Sequence, residues 1–116
     1  MQSTTSDSWV VDSGATHHVT LDASKVAHGV DYTGPGMLVV GNGHSLPINK
    51  TGQFALLSDS RLLLLNNLIH VPQVTKNLLS VSKFVKDNMV FVEFRAKSCC
   101  VRDESTREVL LQGKRS

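Results

Sequence analysis

The chain consists of short apolar runs, rich in leucine and β-branched residues, that are separated by clusters of Gly, Pro, Asn, Asp and Ser. This pattern is typical of short strands joined by turns. Its 116 residues suit a single domain. We therefore expect one mostly β domain. Strands are predicted at Trp9–Val11, Met37–Val40, Gln53–Leu57, Arg61–Leu65, Leu68–Val71, Met89–Phe94, Cys99–Arg102 and Val109–Gln112.

One segment has helical spacing instead. Apolar residues between Leu78 and Val85 recur at three- and four-residue intervals, with lysines on the other side. This spacing predicts a helix at Val81–Asp87. Ser80 is expected to be its N-cap, and Asn88 is expected to end it in the left-handed conformation.

Two turn signals lie between the earlier runs. Gly41-Asn42-Gly43 contains an Asn-Gly pair flanked by apolar residues, which predicts a β-hairpin. Pro47, on the second arm, indicates an edge or exposed strand. Asn66-Asn67 fits either a turn or a bulge.

A carboxylate follows the first predicted strand directly, in the sequence Asp12-Ser13-Gly14-Ala15. Such a carboxylate is costly at the end of a buried strand unless it is hydrogen-bonded or paired. Ser13 supplies a hydroxyl, Gly14 allows a tight turn and a close approach, and Ala15 keeps the turn slim. An aspartic protease needs this arrangement, because its carboxylate must lie beside a second one and share a proton with it. By itself, the motif also fits a plain turn after a strand.

The sequence contains one such motif and not two. No aspartate other than Asp12 is followed by Ser or Thr and then Gly. If Asp12 is catalytic, its partner must come from another copy of the chain. A two-fold axis provides this arrangement, since a residue on the axis meets its own copy.

Four longer segments place this motif in a wider context: WVVDSGATHHVT at 9–20, LVVGNGHSLPI at 38–48, NLIHVPQVTKNLLSVSKF at 67–84 and CCVRDESTREVLLQGKR at 99–115. In order and spacing they resemble the protease domain of Ty/copia-type retrotransposon polyproteins, within the retropepsin clan. Together they span nearly all of the chain from Trp9 onward. Asp-Ser-Gly alone would be a weak signal, and its combination with the HVPxxxxNLLSV pattern makes the resemblance specific.

The resemblance implies an acid-protease fold. This is a mostly β, retropepsin-like closed β-barrel with one short helix in its C-terminal half, assembled as a homodimer. The protease domain is expected at residues 9–113, after a polar segment at 1–8 that is expected to be disordered. Residues 114–116 are expected to be a tail or a linker.

The resemblance also implies roles for individual residues. Asp12 would be the catalytic aspartate, Ser13 would make hydrogen bonds across the subunits, and Gly14 would offer main-chain bonds near the substrate. Gly41-Asn42-Gly43 falls where the family has its flap, although the pattern also fits an ordinary β-turn. Leu78-Leu79-Ser80 matches the hydrophobic-hydrophobic-Gly signature that precedes the family's helix, with Ser in place of Gly. The expected substrate-binding residues are Ala15, Val40, Gly41, Asn42, Gly43 and Leu79.

The implied function is that of a homodimeric aspartic endopeptidase that processes a retrotransposon Gag-Pol polyprotein by water-mediated hydrolysis. Its substrate would be an extended peptide from its own polyprotein, and it would need no cofactor. The expected location is the cytoplasm, within virus-like particles. The alternative is a domesticated, non-catalytic domain that keeps the fold for dimerisation or peptide binding.

Composition argues against other classes. A net charge of +2 and only six aromatic residues do not favour a nucleic-acid-binding module. The longest apolar runs, such as Leu62–Leu65, have four residues and are far too short for a membrane span. His17 and His18 would point apart on a strand without further ligands nearby, so no metal site is expected. Cys99 and Cys100 are adjacent and build no disulfide framework, which favours a reducing compartment.

Overall fold

The computed structural model describes residues 9–34, 36–39, 43–58 and 60–115, with 114 and 115 described by their backbone alone. Within these ranges the chain forms eleven strands, one α-helix and a 3-10 turn at Ala23–Lys25. The expected mostly β composition with one helix is thus confirmed. The elements are β1 (Trp9–Asp12), β2 (Val19–Thr20), β3 (Ala27–Asp31), β4 (Leu38–Val39), β5 (Ser45–Leu46), β6 (Lys50–Leu57), β7 (Leu62–His70), β8 (Asn77–Ser80), α1 (Val81–Asn88), β9 (Val90–Phe94), β10 (Ser98–Asp103) and β11 (Val109–Arg115).

Nine of the strands form one mixed sheet, in the order β3-β6-β7-β2-β8-β1-β11-β10-β9. Strand β1 lies in its interior and runs parallel to both of its neighbours, β8 and β11. Strands β4 and β5 form a separate antiparallel pair. The first strand is therefore hydrogen-bonded along both edges, which fixes the position of the residue at its end.

The sheet is open in the part of the chain that the structure describes. Its two outer strands, β3 and β9, do not pair with each other, whereas a barrel requires its end strands to exchange hydrogen bonds. The strands after α1 form an antiparallel unit, β9–β10–β11, that extends the sheet beyond β1 and does not return to β3. The expected closed barrel is not shown by these residues.

The main core packs around α1 and the middle of the sheet. Strand β7 alternates between buried Leu63 and Leu65 and exposed Leu62 and Leu64, as a strand with one covered face should. Phe84, on α1, is completely buried against this face. The other buried members of the cluster are Trp9, Val11, Leu56, Leu68, Leu79, Val90, Cys99, Val101, Leu110 and Leu111.

A second, smaller cluster lies on the side of the β4–β5 pair. It consists of the buried residues Val19, Ile69 and Val71. Leu38 from β4 and Leu46 from β5 are half-buried and pack against it. This contact holds the two-stranded pair next to the end of β2, although the pair is hydrogen-bonded to no strand of the main sheet among the described residues.

The helix ends one residue later than the sequence predicted. It spans Val81–Asn88, and Met89 takes the left-handed conformation, with φ 55° and ψ 52°. The prediction that Asn88 would adopt this conformation is wrong, because its buried side chain is used elsewhere. The amide of Asn88 accepts from the N–H of Leu64 and donates to the carbonyls of Leu64 and Phe84.

Asn66 and Asn67 lie within one continuous strand, so the bulge interpretation is the correct one of the two. The register between β6 and β7 shifts between Gly52 and Phe54, opposite this pair. Asn67 has a φ of 56°, which is the left-handed conformation that asparagine tolerates well.

The sheet also includes residues beyond the expected domain boundary at 113. Strand β11 continues to Arg115, and β1 pairs with it through Val10–Lys114 and Val11–Arg115. The backbone at 114 and 115 therefore belongs to the sheet. Residues 1–8 lie outside the described ranges. No helix within those ranges combines the length and the apolar character that crossing a bilayer requires.

We predict that Asn88→Ala lowers the free energy of unfolding by about 2 kcal/mol, because it removes three hydrogen bonds that tie the end of α1 to β7. Urea denaturation measures the change. Lys86→Ala, at an exposed position of the same helix, is the matched control and should stay within about 0.5 kcal/mol of the wild type. Equal unfolding free energies for the two variants would contradict this role of Asn88.

Candidate active site

Strand β1 delivers the Asp12 carboxylate to the face of the sheet that lies opposite the main core. Its side chains alternate, with Trp9 and Val11 buried and Val10 and Asp12 half-buried. Asp12 is in register with Ser80, the last residue of β8. The strand therefore buries Trp9 and Val11 on one face while its terminal carboxylate stays accessible on the other.

The turn after β1 folds back onto the carboxylate. The backbone N–H of Gly14 donates to Oδ1 of Asp12 over 2.8 Å. The N–H of Ala15 approaches the carbonyl of Asp12 at 3.4 Å. Ser13 and Gly14 are exposed and Ala15 is half-buried. The carboxylate is thus fixed by a local hydrogen bond, and the two residues that follow it remain open to another molecule.

Ser80 connects this turn to the interior. Its side chain is fully buried, and its Oγ donates to the carbonyl of Ala15 over 2.8 Å. Its backbone N–H donates to Nδ1 of His18 over 3.0 Å. Ser80 occupies the N-cap position of α1, as predicted, but its side chain makes no capping hydrogen bond because it is directed to the turn.

His18 lies behind Ser80 and has no exposed surface. Its ring meets the ring of Phe84 edge-on, with 6.4 Å between the centroids. Burial lowers the pKa of His18 from 6.5 to about 4; Lys83 and His17 lower it as well, and Asp87 opposes them. The ring is therefore neutral near pH 7. Its Nε2 is buried and has no hydrogen-bond partner among the described residues.

A cleft of about 400 Å³ opens above Asp12. Residues of the turn and of β4 both line it. A second cavity of about 360 Å³ adjoins it through the shared side chain of Leu78 and is mostly apolar. The cleft is lined by Asp12, Gly14, Ala15, Thr16, His17, Val19, Leu38, Val39 and Leu78.

The predicted hairpin is present in its two arms, since β4 and β5 pair antiparallel through Leu38–Leu46 and Val39–Ser45. Gly43 is exposed and has a φ of 85°, a conformation that favours glycine. The other predicted flap residues, Val40, Gly41 and Asn42, lie outside the described residues. The structure thus brings β4 to the cleft.

Leu79, which was expected to bind substrate, has only 2% of its surface exposed and belongs to the main core. Its neighbour Leu78 lines both cavities. The reason is the pairing of β8 with β1, in which Leu79 is opposite the buried Val11 and Leu78 is opposite Val10. A strand period of two places Leu78 and Leu79 on opposite faces, but only the pairing with β1 decides which of them faces the cleft.

Two further residues of the site, His18 and Ser80, were not predicted to support the turn. Their roles depend on hydrogen bonds between residues 62 and 65 positions apart, for which the sequence has no local signal. Within the described ranges, no group of three or more His, Cys, Asp or Glu side chains could hold a metal ion. The reactive side chains that line the cleft are the carboxylate of Asp12 and, beside it, the exposed Thr16 and His17, in otherwise apolar surroundings.

Comparison with known proteins places this chain in a family. Residues 9–89 match the model of the Pol polyprotein β-barrel domain, and the chain belongs to this family. Two retrovirus-related Pol polyproteins of Arabidopsis thaliana are similar to it, those from transposons RE1 and RE2, with 43% and 42% identity. These alignments cover 94% and 93% of this chain but only 7% of each relative's length. No solved structure shows a significant match.

We predict that Ser80→Ala loosens the turn after β1. The carbonyl of Ala15 would lose its buried donor, so the free energy of unfolding should fall by about 1 kcal/mol, and the NMR signals of Ser13–Ala15 should shift or broaden. Ser98→Ala, at an exposed position, serves as the control. The role assigned to Ser80 is wrong if its variant leaves both the stability and these signals unchanged.

Proposed function

We propose that this chain is one half of an aspartic endopeptidase that becomes active as a homodimer and cleaves a retrotransposon Gag-Pol polyprotein. The observation that carries the proposal is the carboxylate of Asp12, which is fixed at the end of a central strand and accessible in a largely apolar cleft. Membership of the Pol polyprotein β-barrel family agrees with such a role.

The second carboxylate comes from a second copy, because the sequence has one Asp-Ser-Gly. Both edges of β1 are already paired, with β8 and β11 of the same chain. The partner therefore approaches through the exposed turn and not by adding a strand to β1. Ser13 and Gly14 are exposed at this point and are available to contact the partner's turn.

Hydrolysis uses the two Asp12 carboxyl groups as a pair that holds one proton. Like charges about 3 Å apart cannot both be ionised, so one group is an acid and the other a base. The protonated group polarises the scissile carbonyl, and the ionised one removes a proton from a water molecule. The water oxygen attacks the carbonyl carbon, and the C–N bond breaks as its nitrogen takes up a proton. The pair works between its two titrations, which gives an acidic optimum.

The substrate is an extended peptide, which fits between the turn and β4. Val19, Leu38 and Leu78 offer apolar contacts for its side chains. The hairpin offers main-chain groups, in the manner of an added strand. The reaction needs no cofactor, and its natural setting is a cytoplasmic virus-like particle in which many copies of the polyprotein are concentrated.

Asp12→Asn should abolish cleavage of a longer precursor that contains this domain, because asparagine keeps the hydrogen bond from Gly14 but cannot exchange a proton. Gel electrophoresis follows the processing, and circular dichroism checks the fold. Asp31→Asn is the matched control, since Asp31 is exposed at the end of β3, outside the cleft. A pepstatin-class inhibitor should slow the wild type.

Equal processing by the wild type and Asp12→Asn would refute the proposed enzyme. A folded wild-type precursor that stays uncleaved at every concentration and pH, yet binds peptides from its own polyprotein, would favour the alternative of a non-catalytic peptide-binding domain.

We also predict that activity depends on chain concentration. Below the dissociation constant of the dimer, the rate should rise with the square of the concentration, because each active site needs two chains, and above it the rate should become linear. Sedimentation across a concentration series measures the dimer independently. A rate that is linear throughout, from a chain that sediments as a monomer, contradicts the shared site.

A further inference from the structure

We propose that His18 is a positioning residue of the catalytic turn, and that its protonation releases the turn and sets the acid limit of activity. The proposal rests on the proposed function, because it concerns the same site. It adds a residue that touches neither the cleft nor the substrate and that acts through Ser80.

The geometry links the imidazole to the turn in two steps. Nδ1 of His18 accepts the backbone N–H of Ser80, and the hydroxyl of Ser80 donates to the carbonyl of Ala15. Ala15 closes the turn that Asp12 begins. The backbone of His18 is itself fixed, because its carbonyl accepts the N–H of Ile69 over 3.0 Å. A change at the imidazole is therefore transmitted to Ser80 more easily than to its own backbone.

The hydrogen bond determines the tautomer of the ring. A backbone N–H can only donate, so Nδ1 must carry a lone pair and the neutral ring carries its hydrogen on Nε2. Protonation would add a hydrogen to Nδ1, where it would point at the N–H of Ser80. Two hydrogens cannot both lie between nitrogens that are 3.0 Å apart. The charged ring must therefore break the bond to Ser80.

The surroundings oppose the charged ring. Nε2 is buried without a partner among the described residues, and Phe84 covers the ring edge-on. The charged and titratable groups that act on the ring are Lys83 and Asp87 from α1 and His17 from its own segment. Burial and Lys83 outweigh the attraction of Asp87, and the pKa of His18 falls to about 4.

The sign of the pH effect follows from this direction. Between about pH 6.5 and pH 4 the unfolded chain binds a proton at His18 that the folded chain rejects, so stability falls as the pH falls through this range. Near pH 4 the folded chain accepts the proton and the bond to Ser80 is lost. The catalytic pair has its own titration, which also limits activity at low pH. A variant that removes only the titration of His18 distinguishes the two causes of acid inactivation.

The decisive variant is His18→Asn. Its Oδ1 lies at a similar distance from the backbone as Nδ1 and can accept the N–H of Ser80, but it does not titrate. His18→Leu removes the acceptor and keeps an apolar side chain. His28→Asn is the control, because His28 is exposed, lies away from the cleft and has a φ of 53° that asparagine tolerates.

The test measures kcat for a peptide from the precursor between about pH 3 and pH 7, at saturating chain concentration. For the wild type and His28→Asn, kcat should fall about tenfold per pH unit below about pH 4. His18→Asn should keep its neutral kcat and lose this acid limb. His18→Leu should have a reduced kcat at every pH. If this variant does not fold, the result for His18→Asn decides the test. An acid limb in His18→Asn that matches the wild type would overturn the proposal.

A second measurement does not depend on activity. Imidazole ¹⁵N shifts report the tautomer and titration of His18, and hydrogen exchange reports the protection factor of the Ser80 amide. The proposal requires an unprotonated Nδ1 at pH 6 and a protection factor that falls as His18 titrates. A proton on Nδ1 at pH 6, or constant protection through the titration, would overturn it. If the wild type cleaves nothing, the proposed function fails and this measurement alone decides the role of His18.

Discussion

The register between β1 and β8 is the constraint on which the site depends. It places Asp12 beside Ser80 and, two residues earlier, Val10 beside Leu78. Since successive side chains of a strand point to opposite faces, a slip of one residue would turn Asp12 towards the main core and Val11 towards the cleft. Burial of Trp9 and Val11 opposes such a slip, because both side chains would lose their apolar surroundings. The same residues thus stabilise the sheet and orient the carboxylate.

Buried polar groups supply the rest of the geometry. Thr20 donates to the side-chain oxygen of Asn77 over 2.8 Å, and the N–H of Leu21 donates to the same oxygen. These bonds hold β2 against β8, next to the bonds of His18 and Ser80. Each such group costs free energy if its partner is missing, so the network favours one arrangement of the strands over similar ones. An exposed turn is in this way anchored to buried polar groups.

Local patterns predict a large part of this molecule and fail where distant residues decide. The helix, the hairpin arms, the turn after β1 and most of the strands follow from spacing and turn chemistry over a few positions. Strands β2, β3 and β8 do not, since no predicted strand corresponds to them. That Leu78 and not Leu79 lines the cleft does not follow from such patterns, because pairing with β1 sets the face of the sheet on which each side chain lies. The left-handed conformation of Met89 does not follow from them either, because the side chain of Asn88 is hydrogen-bonded to β7 and the helix continues through Asn88. The open sheet depends on where β9–β11 attach, which no local pattern contains.

In the proposed protease, the exposed and the buried residues of the site have different roles. Asp12, Ser13 and Gly14 are accessible and are the groups that a second chain and a peptide would meet. Ser80 and His18 are fully buried and meet neither, yet they determine where the turn lies. In the proposed homodimer the second carboxylate belongs to another chain, so the position of each turn must be set by its own chain. The alignment of two turns from separate chains then depends on how rigid each turn is before they meet.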